Sequence, residues 1–270
     1  MDKERLGNPL ELDAARVVAH AACQLLYRAA TANNTPLPGD EHSNLGWDVT
    51  SGCFQTRTLG ETGTVVSLGL SPLALQIGDE ALALDGVAVT AALTWLDEKL
   101  DALDLQPASA VETAYDLPAD VAALETFAAV EGLDGLVAWY DLAADALTQL
   151  AVDMADLKPG PSDVRCWPHH FDIATYVSLE DGDAEVARGI GAGLSPGDGS
   201  YGEPYFYINP WPHIAQETLP SPIKPGHWHT KGFIGSVATA TEIITLEDVS
   251  AGARNFVRQS FDTGRSLLGI

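Results

Sequence analysis

Histidine is concentrated in the later part of this 270-residue chain, where five of its seven copies occur. They are His169 and His170 in Trp-Pro-His-His-Phe-Asp, His213 in Pro-Trp-Pro-His, and His227 and His229 in His-Trp-His. Neutral imidazole is a good donor to divalent transition metals, and two histidines with one carboxylate and open positions make a recurrent catalytic centre. The expected ligand set is His169, His170, Asp172, His227 and His229, with Zn, Fe or Mn as the cofactor. Without a metal the same stretches suit proton transfer, because histidine titrates near neutrality and a neighbouring carboxylate holds its tautomer. His170, Asp172 and Glu203 are then the expected catalytic residues. Trp167, Tyr205, Tyr207, Trp211 and Trp228 supply aromatic walls for a small ligand. A purely structural role competes with both readings, the histidines satisfying loop carbonyls and the aromatic rings filling a core.

Strands must present these groups. Alternate residues of a strand share a face, so Phe171, Ile173 and Val177 would take the core while His170, Asp172 and Tyr176 take the opposite side. Phe206 and Ile208 sort the same way against Glu203, Tyr205 and Tyr207, and the i, i+2 spacing of His227 and His229 directs both to one side. The pattern predicts strands over 171–177, 185–194, 203–208 and 233–244, with turns at Asp181-Gly182-Asp183 and Ser195-Pro196-Gly197-Asp198. Upstream, Val18, Ala21 and Leu25 mark a helix over 14–30, followed by an antiparallel meander at 54–58, 64–70 and 73–77. Val89, Leu93, Leu96, Leu100 and Leu103 mark a helix over 87–103, and Pro118 opens a connecting helix. Leu136, Trp139, Ala143, Leu147, Leu150, Met154 and Leu157 form one long helical stripe ended by Pro159-Gly160-Pro161, and a last helix starts near Val249.

Both halves therefore run helix, Pro/Gly loop, strands, a Gly-Leu-Ser-Pro turn, more strands and a closing helix. The four-residue anchor occurs at Gly69-Leu70-Ser71-Pro72 and at Gly193-Leu194-Ser195-Pro196. The expected fold is α+β: two tandem α-β-α repeats whose antiparallel sheets are backed by helices. The expected organisation is an N-terminal repeat over 1–110, a connecting helical segment over 111–135, and a C-terminal repeat over 136–270 that carries the histidines.

Charge narrows the partners. Fourteen basic against 38 acidic residues leave a net charge of −24, a field that repels phosphate backbones and anionic membrane surfaces, so nucleic acid is not an expected partner. Residues 1–157 carry 6 basic and 25 acidic residues, net −19, most simply as solvated helix faces such as Asp97-Glu98 with Asp101 and Asp104. Cys23, Cys53 and Cys166 are odd in number and widely spaced, without Cys-x-x-Cys, which fits a reducing cytoplasm better than a disulfide framework. Neither a leader nor a membrane span is expected, since no apolar run approaches about 18 residues.

Two motifs are set aside. Gly193-Leu194-Ser195-Pro196-Gly197 fits Gly-x-Ser-x-Gly, but the residue after the serine must donate its N–H to an oxyanion and Pro196 has none. Gly189-x-Gly191-x-Gly193 lacks the spacing of a dinucleotide loop and reads as a closely packed strand. Trp167-Pro168-His169-His170-Phe171-Asp172, Gly193-Leu194-Ser195-Pro196-Gly197-Asp198 and Glu203-Pro204-Tyr205-Phe206-Tyr207 together resemble an uncharacterised bacterial family, a domain of unknown function, mainly over 165–235. The resemblance implies which residues a site would use and implies no activity. The functional expectation is a cytoplasmic enzyme acting on a small molecule through a His/carboxylate/Tyr cluster. The alternative is a non-catalytic small-ligand binding protein with an aromatic pocket.

Overall fold

Apolar periodicity decides where the elements form, and strand pairing decides which of them become neighbours. The computed structural model describes residues 2–183 and 186–270. In chain order the elements of the first part are α1 (Asp13–Asn33), β1 (Gly46–Asp48), β2 (Cys53–Gln55), β3 (Val66–Leu70), β4 (Leu73–Ile77), β5 (Glu80–Ala83), α2 (Val89–Asp101), α3 (Ala119–Ala122) and α4 (Leu133–Asp153). There follow β6 (Gly160–Pro161), β7 (Arg165–Trp167), β8 (Asp172–Ser178), β9 (Gly189–Ser195), β10 (Tyr205–Trp211), β11 (His227–His229), β12 (Gly235–Thr239), α5 (Ala240–Ile243) and α6 (Val249–Leu267). The fold is α+β, with helices and antiparallel sheets. The chain divides into two compact units, one of Glu11–Val137 with Arg165–Phe171, the other of residues 2–10, Ala138–Val164 and the described part of Asp172–Ile270. The boundaries expected at 110 and 135 both fall inside the first of these.

In the first unit the meander runs β1-β2-β3-β4-β5. Strict alternation buries Val66, Leu68 and Leu70 on β3 and Leu73, Leu75 and Ile77 on β4, and the register pairs Leu68 with Leu75 and Val66 with Ile77. Six apolar side chains therefore share one face, each contributing about 2 kcal/mol by leaving water. Helix α1 packs on β3 and buries Val18, Ala22, Leu25, Leu26 and Ala29. The periodicity did not reveal β1 and β5, which are short and carry no fully buried alternation. The connecting helix expected from Pro118 is the single turn α3. Segment 165–171 belongs to this unit, where Cys166 and Leu45 exchange backbone hydrogen bonds of 2.8 Å in each direction.

The sheet of the second unit follows the order β11-β12-β10-β9-β8-β6, each pair antiparallel. One face is apolar: Ile173 and Val177, Ile190, Ala192 and Leu194, and Phe206 and Ile208 are all buried. Helix α6 packs against β9 and β10 through Ala253, Phe256, Val257 and Phe261, and starts where Asp248 accepts from Ala251 N at 3.0 Å. Arg254 and Arg258 of α6 pair with Asp145 at 2.7 Å and Asp153 at 3.0 Å on α4.

Several expected boundaries move, each for a local reason. Phe171, expected to begin a strand, instead closes a turn at φ 59°, its N–H on Trp167 O at 2.7 Å, and β8 starts at Asp172. The strand expected over 203–208 is Tyr205–Trp211, so Glu203 precedes it. The strand expected over 233–244 stops at Thr239, because Thr239 and Glu242 form a capping box that starts α5. Of the strand expected over 185–194, Glu185 lies outside the described residues and β9 begins at Gly189. Ser71-Pro72 joins β3 to β4, whereas Gly193–Ser195 ends β9 and Pro196 opens the loop to β10, so the two Gly-Leu-Ser-Pro copies do different structural work. The strand orders of the two sheets also differ. Among the described residues no helix is long and apolar enough to cross a membrane.

Candidate functional site

The second unit's sheet turns its other face to polar chemistry. Register aligns Ala174, Gly193, Tyr207, Val237 and His227 in one row across five strands, so all point to the side opposite Ile173 and Phe206. The centre of the row must be glycine. A Cβ on Gly193 would lie 2.5 Å from Tyr207 Cζ and Oη, and one on Gly189 would collide with the Tyr176 hydroxyl. With Gly193 bare, the Tyr207 ring lies across β9 and its hydroxyl donates to Asp172 Oδ2 on β8. The glycine alternation read as close packing is therefore the floor under two tyrosines.

The loop from β9 to β10 brings in a residue that strand patterns do not reveal. Asp198 Oδ1 accepts from Ser200 N at 2.7 Å and Tyr201 N at 3.2 Å, a turn that a short carboxylate makes readily. Its Oδ2 accepts from the Tyr205 hydroxyl at 2.7 Å. This holds Tyr201 with its hydroxyl between two imidazoles, 3.0 Å from His227 Nε2 and 2.9 Å from His229 Nδ1. His229 Nε2 lies 2.5 Å from the Lys231 carbonyl, and His227 Nδ1 stands 3.4 Å from Glu242 Oε1. The other oxygen of Glu242 accepts from Thr239 N at 2.9 Å, so one carboxylate both caps α5 and backs the His227 ring. Burial, with the charges of Glu242 and Asp198, pushes the Tyr201 phenol above its ordinary value, and burial with the Asp198 bond does the same to Tyr205. Both hydroxyls keep their hydrogens at neutral pH.

Tyr201 and His229 line a cleft of ≈ 490 Å³ together with Ser200, Trp228, Thr230 and Lys231. That volume suits a small molecule. A second cleft of ≈ 490 Å³ lies along Tyr176, Asn209 and Trp211, with Arg188 held by Glu180 at 2.6 Å.

The expected site residues divide. His227 and His229 come together as their spacing suggested, and Trp228 lines the cleft that His229 also lines, while its indole N–H donates to Pro220 O at 2.8 Å. Tyr205 and Tyr207 lie on the same sheet face but direct their hydroxyls to Asp198 and Asp172; Trp211 lines the second cleft. Glu203 accepts from Thr241 N and Oγ1, both at 2.6 Å, which satisfies orphan donors at the start of α5. Trp167, His169 and His170 belong to the first unit. There the Trp167 indole donates to Gly39 O at 3.0 Å, and Pro168 O accepts from His20 Nε2 at 2.9 Å and Gln24 Nε2 at 2.8 Å. His169 packs between Tyr115 and His170, and burial lowers its pKa. His170 is exposed in the turn. Among the described residues no group of three or more His, Cys, Asp or Glu side chains comes together so that it could hold a metal ion. All four ring nitrogens of His227 and His229 face protein groups instead.

Tyr201, Asp198 and Glu242 were not among the expected residues. Glu242 had a readable signal, the Thr-x-x-Glu capping spacing from Thr239. Tyr201 had only its position two residues after Asp198-Gly199.

No protein-family model matches the chain, and no characterised protein or solved structure was found to match it.

Proposed function

We propose that the chain is an enzyme acting on a small molecule, with Tyr201, His227 and His229 as its proton-transfer centre. The observation that carries this reading is a phenol oxygen within hydrogen-bond distance of two imidazoles, with Tyr201 and His229 both lining a ≈ 490 Å³ cleft. Imidazole exchanges protons near neutral pH, and a phenol between two imidazoles passes a proton without either ring moving. Trp228 offers the ligand an apolar wall and Lys231 a positive charge. Three free cysteines favour a reducing compartment such as the cytoplasm.

The test uses wild type and Tyr201→Phe in D2O with a panel of small hydroxy acids, polyols and amino alcohols, followed by proton NMR. At least one compound should be converted, or exchange a C–H, about 100-fold faster with wild type, the lower range for a positioned acid or base. Equal rates for the two proteins, or no conversion of any compound, refutes the reading.

A further inference from the structure

The cluster around Tyr201 has a direction. A backbone carbonyl only accepts, so the hydrogen between His229 Nε2 and Lys231 O sits on the ring nitrogen. In the neutral ring Nδ1 is then bare, and the Tyr201 hydroxyl must donate to it across 2.9 Å. A hydroxyl has one hydrogen. Toward its other imidazole Tyr201 Oη can only accept, which makes His227 Nε2 the donor at 3.0 Å. Glu242 stands behind His227 as a positioning residue: its Oε1 lies 3.4 Å from Nδ1 and pairs with a ring that carries hydrogen on both nitrogens, while the capping box fixes the carboxylate. One lone pair of Tyr201 Oη remains, and no hydrogen.

We infer that the cleft recognises its ligand through a hydrogen donor, a hydroxyl or protonated amine placed on that lone pair, and disfavours a carbonyl or ether oxygen there. This rests on the reading of the cleft as the ligand site. For a hydroxyl ligand the proton path balances. The ligand O–H bond breaks as an O–H bond forms at Tyr201, the former Tyr201 hydrogen passes to His229 Nδ1, and the ligand oxygen is left as an alkoxide beside an imidazolium. The imidazolium keeps its Nε2 hydrogen on Lys231 O, so no group loses its partner. The raised Tyr201 phenol agrees with an oxygen that keeps one hydrogen throughout.

The experiment is an NMR titration of the full chain, labelled with ¹³C-tyrosine and ¹⁵N-histidine, with 2-propanol and with acetone. The two probes share a carbon skeleton and differ in bringing a donor or only an acceptor. 2-Propanol should shift Tyr201 Cζ and His229 Nδ1 saturably, with a midpoint about 5-fold below that of acetone, the worth of one net hydrogen bond. In Tyr201→Phe, read at His229, the preference should vanish. Without probe, neutral His229 should carry hydrogen at Nε2 and none at Nδ1. Acetone binding as well as 2-propanol, no saturable shift with either, or hydrogen on Nδ1 of neutral His229 overturns the inference. None of these readouts needs turnover, so a failed substrate panel with the 2-propanol preference intact counts against the enzyme and leaves the ligand class standing.

Discussion

Acid should destabilise the first unit through one buried side chain. His20 is 2% exposed, stacks on Phe171 with ring centroids 4.9 Å apart, and gives its Nε2 hydrogen to Pro168 O. Burial lowers its pKa from the ordinary 6.5 to about 4, helped by Arg16 and opposed by the Pro168 bond and by Asp120. The folded form thus refuses a proton that the unfolded chain accepts. Its contribution is fully present above the ordinary value and is lost as pH falls from there toward the folded value. The slope is about 1.4 kcal/mol per pH unit inside that window, which amounts to about 2 kcal/mol between pH 7 and pH 5 and about 3 kcal/mol by pH 4. His20→Gln keeps an N–H for Pro168 O and does not titrate. Urea unfolding of both proteins at pH 7 and pH 5 isolates the effect, because the neighbouring carboxylates and the lost ring stacking are common to both pH values. Wild type should lose about 2 kcal/mol more than His20→Gln on acidification. Equal losses would refute the claim that this ring is held neutral by its surroundings.

Three further outcomes follow from the second unit. Gly193→Ala should cost about 1–3 kcal/mol in urea unfolding and move the Tyr207 ring off Asp172, visible as a changed Tyr207 resonance, because the new methyl occupies the ring's path. Glu203→Ala should cost about 1 kcal/mol by removing the acceptor for Thr241, and should leave the Tyr201 and His229 NMR signals in place. Arg254→Ala should leave the urea-unfolding midpoint close to that of wild type, since its pair with Asp145 is solvent-exposed, and a clear drop would mean that α6 depends on it.

What the sequence determined by itself is whatever depends on neighbours along the chain. Periods of 3.6 and 2 placed α1, β3, β4, α4 and α6 and sorted Ile173 and Phe206 from Asp172 and Tyr207, since a side chain's face is a function of its own strand or helix. The same parity predicted that His227 and His229 would share a side. Tertiary structure decided the rest. Parity cannot say that β12 lies between β10 and β11, nor that a turn pinned by Asp198 carries Tyr201 to both imidazoles, because those depend on pairings between distant segments. Nor does it show that Trp167-Pro168-His169-His170-Phe171 is drawn into the first unit, where hydrogen bonds from His20 and Gln24, 148 and 144 residues away in sequence, hold the Pro168 carbonyl.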